Sequence, residues 1–269
     1  MNNVAFQIYG LKKGIVENGL ILYLDAGNTQ SYPGTGTLWT DLTNNASIAT
    51  LTNGPVFNPA NGGSIVFDGT NDFAPISGPN FFTIPNPNPA QENKSPTFSV
   101  APWYSVYDNF TYEFVCKPTS TVTIVPQSTG GTPGTSGQKY ITSSNKSTDA
   151  INYGNFVISV GTNAIQVFDH GDAYMPCLLS HTVTISTTVN ISITVINKRP
   201  SLYINGVFIK NGLTSPKTKV ELSALGPSVN TSVYGRFSGN VSIFNYYNRT
   251  LSSQEVIQNY NATKGRYGL

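Results

Sequence analysis

Carboxylates are the side chains of this sequence best suited to hydrolysis, but their spacing along the chain argues against a catalytic pair. Hydrolysis of a glycosidic bond needs two carboxylates about 5–10 Å apart, often one with a raised pKa. The chain has five glutamates, at positions 17, 92, 113, 221 and 255. Glu113 alone lies within a clearly alternating strand pattern, and the next two positions on its face hold Val115 and Lys117. We therefore interpret Glu113 as a strand residue paired across a sheet, and we predict that the protein is not an enzyme.

Hard oxygen ligands occur together in one turn, Asp68-Gly-Thr-Asn-Asp72. Calcium binds six to eight oxygens, and Asp68, Asn71 and Asp72 would supply some of them. The same residues also suit a tight turn in which the carboxylates accept backbone amides. We favour the turn and predict no cofactor, with structural calcium near Asp68 and Asp72 as the alternative.

Motifs of nucleophilic catalysis are missing from the sequence. It contains no Gly-x-Ser-x-Gly turn, and the glycine-rich stretch 130–137 lacks the Lys-Ser/Thr ending of a phosphate-binding loop. The two cysteines, Cys116 and Cys177, are too few for a disulfide framework. Cys116 alternates with aromatic residues on one face of a predicted strand, which favours a small buried side chain. A bridge between the two cysteines is the alternative.

Exposed aromatic rings with amides and carboxylates around them are typical of sugar-binding sites. Five aromatic residues lie in or beside long polar stretches and are our candidates for glycan binding or partner docking: Trp103, Tyr104, Tyr107, Tyr140 and Tyr153. The alternative is that these rings anchor the loops to the rest of the fold or to a neighbouring subunit. The sequence does not separate the two roles.

Composition excludes some classes of partner. Only 10% of the 269 residues are charged, against about 25% in an average soluble protein, and the net charge is +2. No basic stripe indicates nucleic-acid binding. No apolar stretch approaches the roughly 20 residues that span a bilayer, so we expect no membrane partner. Residues 1–10 lack the basic and apolar regions of a secretory signal, so we expect any surface location to be reached by assembly.

Short alternating or apolar runs separated by Gly, Pro and Asn predict strands over most of the chain. The predicted strands lie at 20–24, 48–51, 63–67, 73–76, 110–117, 156–160, 164–168, 181–185, 191–196, 201–204, 207–209 and 241–247. Asn205-Gly206 predicts a type I′ hairpin turn, because both residues accept a positive φ. The capping box from Ser252 to Glu255 predicts a helix that begins near Ser252 and ends near Gly265.

One helix among about a dozen strands predicts an all-β fold, a two-sheet antiparallel jelly-roll sandwich with one short C-terminal α-helix. We expect residues 1–18 to form an N-terminal arm or edge strand and residues 19–269 to form the sandwich. The proline-rich stretch 78–107 and the Thr/Ser/Gly-rich stretch 119–150 predict long loop insertions, with 130–137 as the most flexible point.

A set of segments in a fixed order carries a family resemblance. They are 19–28 (GLILYLDAGN), 31–36 (SYPGTG), 38–42 (LWTDL), 51–57 (LTNGPVF), 62–73 (GGSIVFDGTNDF), 110–118 (FTYEFVCKP), 201–207 (SLYINGV) and 239–265. Together they resemble the concanavalin A-like lectin/glucanase superfamily, and in particular the laminin G-like domain found in structural proteins of tailed bacteriophages. The resemblance implies two sheets packed face to face with the terminal strands side by side. The Glu-x-Asp-x-x-Glu motif of the superfamily's hydrolases is absent.

The resemblance also implies a function. We expect a non-enzymatic virion structural protein with a lectin-like fold, exposed on a bacteriophage head or tail as a decoration or fibre-type protein. Its expected location is the virion surface, and its expected partners are other virion proteins and further copies of itself. The alternative is a carbohydrate-binding adhesin that recognises host-surface polysaccharide, and a glycoside hydrolase is the third hypothesis. Fold does not decide among them.

Overall fold

The structure is a computed structural model that describes residues 14–78, 108–131, 136–143, 155–170, 175–216, 224–225 and 234–269. It confirms an antiparallel β-sandwich with one C-terminal helix in this described part of the chain. The elements are β1 (Leu20–Asp25), β2 (Leu38–Thr40), β3 (Ile48–Thr50), β4 (Val56–Asn58), β5 (Ser64–Asp68), β6 (Ala74–Ser77), β7 (Phe110–Pro118), β8 (Thr142–Ser143), β9 (Asn155–Val160), β10 (Ala164–His170), β11 (Cys177–Thr182), β12 (Val189–Ile196), β13 (Arg199–Ile204), β14 (Val207–Asn211), β15 (Ala224–Leu225), β16 (Ser238–Tyr247) and α1 (Ser253–Tyr267).

The larger sheet is built around β7 and β16. Its strand order is β14-β13-β12-β7-β16-β5-β4, and β1 also pairs with β16. The first part of β16, as far as Val241, pairs with β5, and its last part, from Ile243 onwards, pairs with β1. The first and last strands of the sandwich therefore lie side by side, as the resemblance implies.

The facing layer consists of two smaller sheets that meet edge to edge. Their strand orders are β2-β3-β6-β15-β8 and β11-β10-β9. The Ile141 amide donates to the Ile158 carbonyl over 2.8 Å, and the Ile158 amide donates to Thr142 Oγ1 over 2.9 Å. These hydrogen bonds join the edge strands β8 and β9, so the two small sheets form one continuous layer.

The core between the layers is rich in aromatic rings from the two central strands. Phe110, Tyr112 and Phe114 alternate along β7 and are fully buried, as side chains on one face of a strand should be. The rings of Phe114 and Phe244 stack with centroids 4.9 Å apart, and those of Tyr112 and Tyr246 with centroids 5.0 Å apart. Large buried rings of this kind dominate the energetics of a core.

Helix α1 covers the outer face of the larger sheet. Its capping box forms as predicted: Ser252 Oγ accepts from the Glu255 amide over 3.3 Å, and the Glu255 carboxylate accepts from the Ser252 amide over 2.8 Å. The helix extends two residues beyond the predicted end at Gly265, because Gly268 supplies the left-handed cap with φ 67°. No helix in the described ranges has the length and apolarity to cross a membrane.

The last residues of the predicted N-terminal arm pack against α1. The Val16 amide donates to Asn259 Oδ1 over 2.7 Å, and the Tyr247 hydroxyl donates to the Val16 carbonyl over 3.0 Å. Residues 14–18 are thus held by the chain's own helix and last strand, while residues 1–13 lie outside the described residues.

The structure corrects the bounds of one predicted strand. The strand predicted at 181–185 is β11, which ends at Thr182 because its pairing with β10 begins opposite Ala164. The segment 119–131, predicted as part of a loop insertion, has no strand or helix of its own and packs on β10: Gln166 accepts from the Val125 amide over 2.6 Å and donates to the Thr123 carbonyl over 2.9 Å. Almost all of the other predicted loop, at 78–107, lies outside the described residues.

Candidate functional site

A polar pocket of about 110 Å³ opens on the outer face of the larger sheet. Its walls share amide, hydroxyl and ammonium groups, contributed by Asn58, Asn61, Ser64, Lys117, Asn240 and Ser242. Of the residues that the structure describes, none with an aromatic or acidic side chain lines it. The pocket can therefore offer hydrogen bonds and one positive charge, but no carboxylate.

Four adjacent strands, in the order β7-β16-β5-β4, place these groups together. Asn240 on β16 lies opposite Lys117 on β7, and Asn58 on β4 lies opposite Ser64 on β5. Asn240 Nδ2 donates to Ser64 Oγ over 2.9 Å. Their neighbours along each strand, such as Cys116 and Val241, point into the core. The pocket residues are the outward half of the strand alternation.

A β-bulge opens the sheet at this point. The pairing of β16 with β7 shifts register between Val241 and Ile243, which leaves Ser242 as the extra residue. The bulge lies where β16 exchanges β5 for β1 as its neighbour, and the Ser242 carbonyl accepts from the Ala26 amide over 2.9 Å. Bulges re-aim side chains and often stand next to functional sites. Asn240 and Ser242 share the outward face by ordinary alternation, and the bulge turns Ile243 outward as well, against Val115 and Tyr267.

The wall of the pocket is closely packed. A Cβ atom on Gly27 would lie 1.7 Å from the Gly62 carbonyl oxygen, so the loop after β1 touches the 3₁₀ turn at Ala60–Gly62 directly. The Arg266 guanidinium of α1 forms an ion pair with Asp25, the last residue of β1. Asn61 in the turn has φ 52°, a left-handed conformation that is costly for a residue with a side chain.

Glu113 lies in the interior, beneath α1, and not in a cleft. Its carboxylate accepts from Ser192 Oγ over 3.0 Å, from Asn245 Nδ2 over 3.1 Å and from Asn259 Nδ2 over 2.8 Å. Burial raises the pKa of Glu113, and these donors oppose the rise. Asn259 belongs to α1, so the carboxylate links the helix to β12 and β16. This arrangement supports the interpretation of Glu113 as a structural residue.

In the Asp68–Asp72 turn, both carboxylates accept hydrogen bonds from backbone amides of the turn itself. Asp68 Oδ1 accepts from the amides of Thr70 over 2.7 Å and Asn71 over 3.3 Å, and Asp72 Oδ2 accepts from the Asp68 amide over 2.9 Å. The hydrogen bond from the Thr70 amide is the main reason that the pKa of Asp68 lies below its ordinary value, whereas burial raises the pKa of Asp72. No group of three or more His, Cys, Asp or Glu suited to a metal occurs in the described part of the chain. Calcium binding here stays an untested alternative.

Of the five aromatic candidates, the structure places one. Tyr140 is 3% exposed, and its ring packs edge-on to Phe168 with centroids 5.7 Å apart, while its hydroxyl contacts Met175 Sδ at 2.6 Å. Its ring is therefore an anchor within the fold and cannot stack on a sugar. The other four, Trp103, Tyr104, Tyr107 and Tyr153, lie outside the described residues.

The cysteines do not pair. Both are free and buried, and burial raises the pKa of each thiol to about 12. A thiol with so high a pKa carries almost no thiolate near neutral pH and is a poor nucleophile. Cys116 packs in the main core, as its strand alternation predicts.

Sequence reasoning missed the pocket residues altogether. Ser242 lies in the strand predicted at 241–247 and Asn240 just before it, but nothing in the sequence marks the bulge at Ser242. Lys117 was noted only as a position without a carboxylate. The one available signal was the polar alternation of 240 and 242 before the apolar end of β16, which indicates an outward face without showing what lies beside it.

The comparisons with known proteins identify a fold and no family. No protein-family model matches the chain, and no curated protein sequence matches it. Among solved structures it is similar to the binding domain of botulinum neurotoxin serotype D/C, with 13% identity and a TM-score of 0.58 over 91% of this chain and 52% of that one. The serotype G binding domain gives 16% identity and a TM-score of 0.57 over 90% and 50%. A Trypanosoma rangeli sialidase gives 15% and 0.53 over 92% and 33%.

These likenesses show a β-sandwich fold and nothing finer. The chain spans about half the length of the neurotoxin binding domains and about a third of the sialidase. Neurotoxin D/C binding domains have been solved in complex with SialylT and with rat synaptotagmin II. The neighbours thus include binding domains solved with a ligand or a protein partner, and one sialidase.

Proposed function

We propose that this protein is a non-enzymatic recognition module with a lectin-like fold, displayed as a structural protein on the surface of a bacteriophage particle. The sequence resemblance to laminin G-like domains of phage structural proteins supports the viral setting, and the low proportion of charged residues suits a packed assembly. Other virion proteins and further copies of the chain are its proposed partners.

The proposal that the protein is not an enzyme is supported by the positions of three carboxylates among the described residues. Glu113 is buried under α1, Glu255 caps the helix, and Asp25 is paired with Arg266. None of the three faces the polar pocket. A hydrolase needs two carboxylates beside an open substrate site. These carboxylates serve the fold instead.

Two measurements test this proposal. Immunogold labelling of purified particles with an antibody against this chain should mark the particle surface; particles that lack the protein would contradict the viral role. Incubation with a broad panel of β-glucans should release no reducing sugar. Release that disappears in Glu113→Gln would establish a hydrolase in its place.

Carbohydrate binding is the second candidate function, and the polar pocket favours it. Asparagine amides and serine hydroxyls both donate and accept, which matches the hydroxyl groups of a sugar. Lectin-like neighbours that have been solved with a glycan ligand add support at the level of fold. A glycan array probed with the intact chain would test it, and we expect reproducible binding to a defined set of glycans. If no glycan on the array binds, carbohydrate recognition is refuted and only the structural role remains as the proposed function.

A further inference from the structure

The polar pocket differs from ordinary polar surface in its charge. Lys117 is an exposed cation, and no described residue forms an ion pair with it. The nearest acidic residues along the neighbouring strands are already engaged, Asp25 with Arg266 and Asp68 with the amides of its own turn. A carboxylate that enters the pocket would therefore meet a positive charge and no negative one.

The hydrogen-bonding groups around Lys117 are held in place before any ligand arrives. Asn240 is fixed by its bond to Ser64, and Asn58 Oδ1 accepts from the Ala60 amide over 3.0 Å. Ser242 is 5% exposed and held by the bulge. Groups positioned in advance lose less conformational entropy on binding.

Size and shape limit the ligand. A volume of about 110 Å³ is several times the roughly 10–15 Å³ that a cavity needs to hold one water molecule. It accommodates an acidic group and the hydroxyls next to it, with the rest of a chain lying outside across the sheet. Because no described residue that lines the pocket is aromatic, the pocket cannot stack on a base or sugar ring, and it favours a ligand that is recognised through hydrogen bonds to its polar groups.

We propose that this pocket binds the acidic unit of an oligosaccharide, with Lys117 pairing with the sugar carboxylate and Asn58, Asn240 and Ser242 binding the adjoining hydroxyls. The inference rests on the second function proposed above and names its ligand class. It does not depend on the viral setting.

The test compares acidic oligosaccharides with the same molecules after methyl esterification, which removes the charge and keeps the hydroxyls. The probes are oligogalacturonate, oligoalginate, hyaluronan oligomer and sialyllactose, measured by calorimetry with the intact chain. At least one acidic probe should bind about tenfold more tightly than its ester, because a charge-assisted hydrogen bond is lost. Lys117→Gln should bind acid and ester equally. Lys264→Gln, an equal change of charge on exposed α1, should behave as the wild type.

Asn240→Asp provides a second variant of almost unchanged shape. The new carboxylate should repel the acidic probe and weaken its binding by more than Lys117→Gln does, and a thermal melt checks that the fold is kept. Three results would overturn the pocket assignment: no binding to any acidic probe, equal losses in Lys117→Gln and Lys264→Gln, or equal competition by inorganic phosphate. Binding that ignores Lys117 and Asn240 would refute the pocket while leaving carbohydrate recognition intact.

Discussion

Replacing Glu113 in two ways separates a structural carboxylate from a catalytic one. In Glu113→Ala the three donors on Ser192, Asn245 and Asn259 lose their acceptor in the interior. Each buried unsatisfied donor costs about 1–3 kcal/mol. Removing the desolvated carboxylate offsets part of this sum. We expect a net loss of about 2–4 kcal/mol.

Glu113→Gln should be tolerated. The glutamine oxygen can accept from both asparagine amides, and its amide can donate to Ser192 Oγ, which is able to accept. Because the group no longer carries a charge, its burial costs less. We expect the free energy of unfolding at neutral pH to stay within about 1 kcal/mol of the wild type or to rise.

The pH dependence has a definite sign. Burial raises the pKa of Glu113 in the folded state above its ordinary value of 4.5. The folded state then holds its proton more tightly than the unfolded state, so this group favours folding most below pH 4.5. Its contribution is lost as the pH rises through the raised pKa. The Gln variant should lack this decline.

Urea unfolding followed by circular dichroism, at several pH values from 4 to 8, measures the stability of Glu113→Ala, the stability of Glu113→Gln and the pH dependence of each. A shift of about 10 °C in the melting temperature of Glu113→Ala would accompany the loss. Equal destabilisation by Ala and Gln, or no effect of either, would refute the argument that this carboxylate binds α1 to the sheet.

Three further predictions concern local features. Gly206→Ala should destabilise the fold by about 1–2 kcal/mol in urea melts, because Gly206 has φ 75° and a new Cβ would lie 3.0 Å from the Tyr260 ring; a fully stable variant would contradict the turn geometry. Cys116 and Cys177 should resist a thiol reagent in the native state and react after unfolding, because burial raises the pKa of both thiols to about 12; fast native labelling would count against their burial. Arg249 holds the pKa of Glu255 at about 2, so the stability that this pair adds should be present above pH 4.5 and fade as the pH falls towards 2, and Glu255→Gln should flatten that acid limb of the unfolding curve.

Features that depend on neighbouring residues could be predicted from the sequence. The Asn205-Gly206 turn forms with φ values of 50° and 75°, and the Ser252 capping box forms with both bonds. Each signal lies within four residues, so the chain around it needs no other information. The alternation of β7 is confirmed for the same reason.

Features that depend on distant parts of the chain could not be predicted. Thr111, Glu113 and Val115 are as buried as their inward neighbours, because they are covered by α1, which lies more than a hundred residues further along the sequence. The packing of 119–131 on β10 rests on the Gln166 side chain. The pocket requires four strands to lie side by side, and no local sequence pattern predicts which strands become neighbours.

The proposals made for the outer-face pocket share one testable statement, which is that the pocket binds a ligand and breaks no bond in it. The most direct measurement is a nitrogen–proton spectrum of the labelled chain during titration with an acidic oligosaccharide, followed by chromatography of the recovered sugar. The side-chain amides of Asn58, Asn61 and Asn240 should shift together, and the sugar should be recovered at its original length. Shifts confined to other parts of the molecule, or a shortened sugar, would contradict the account.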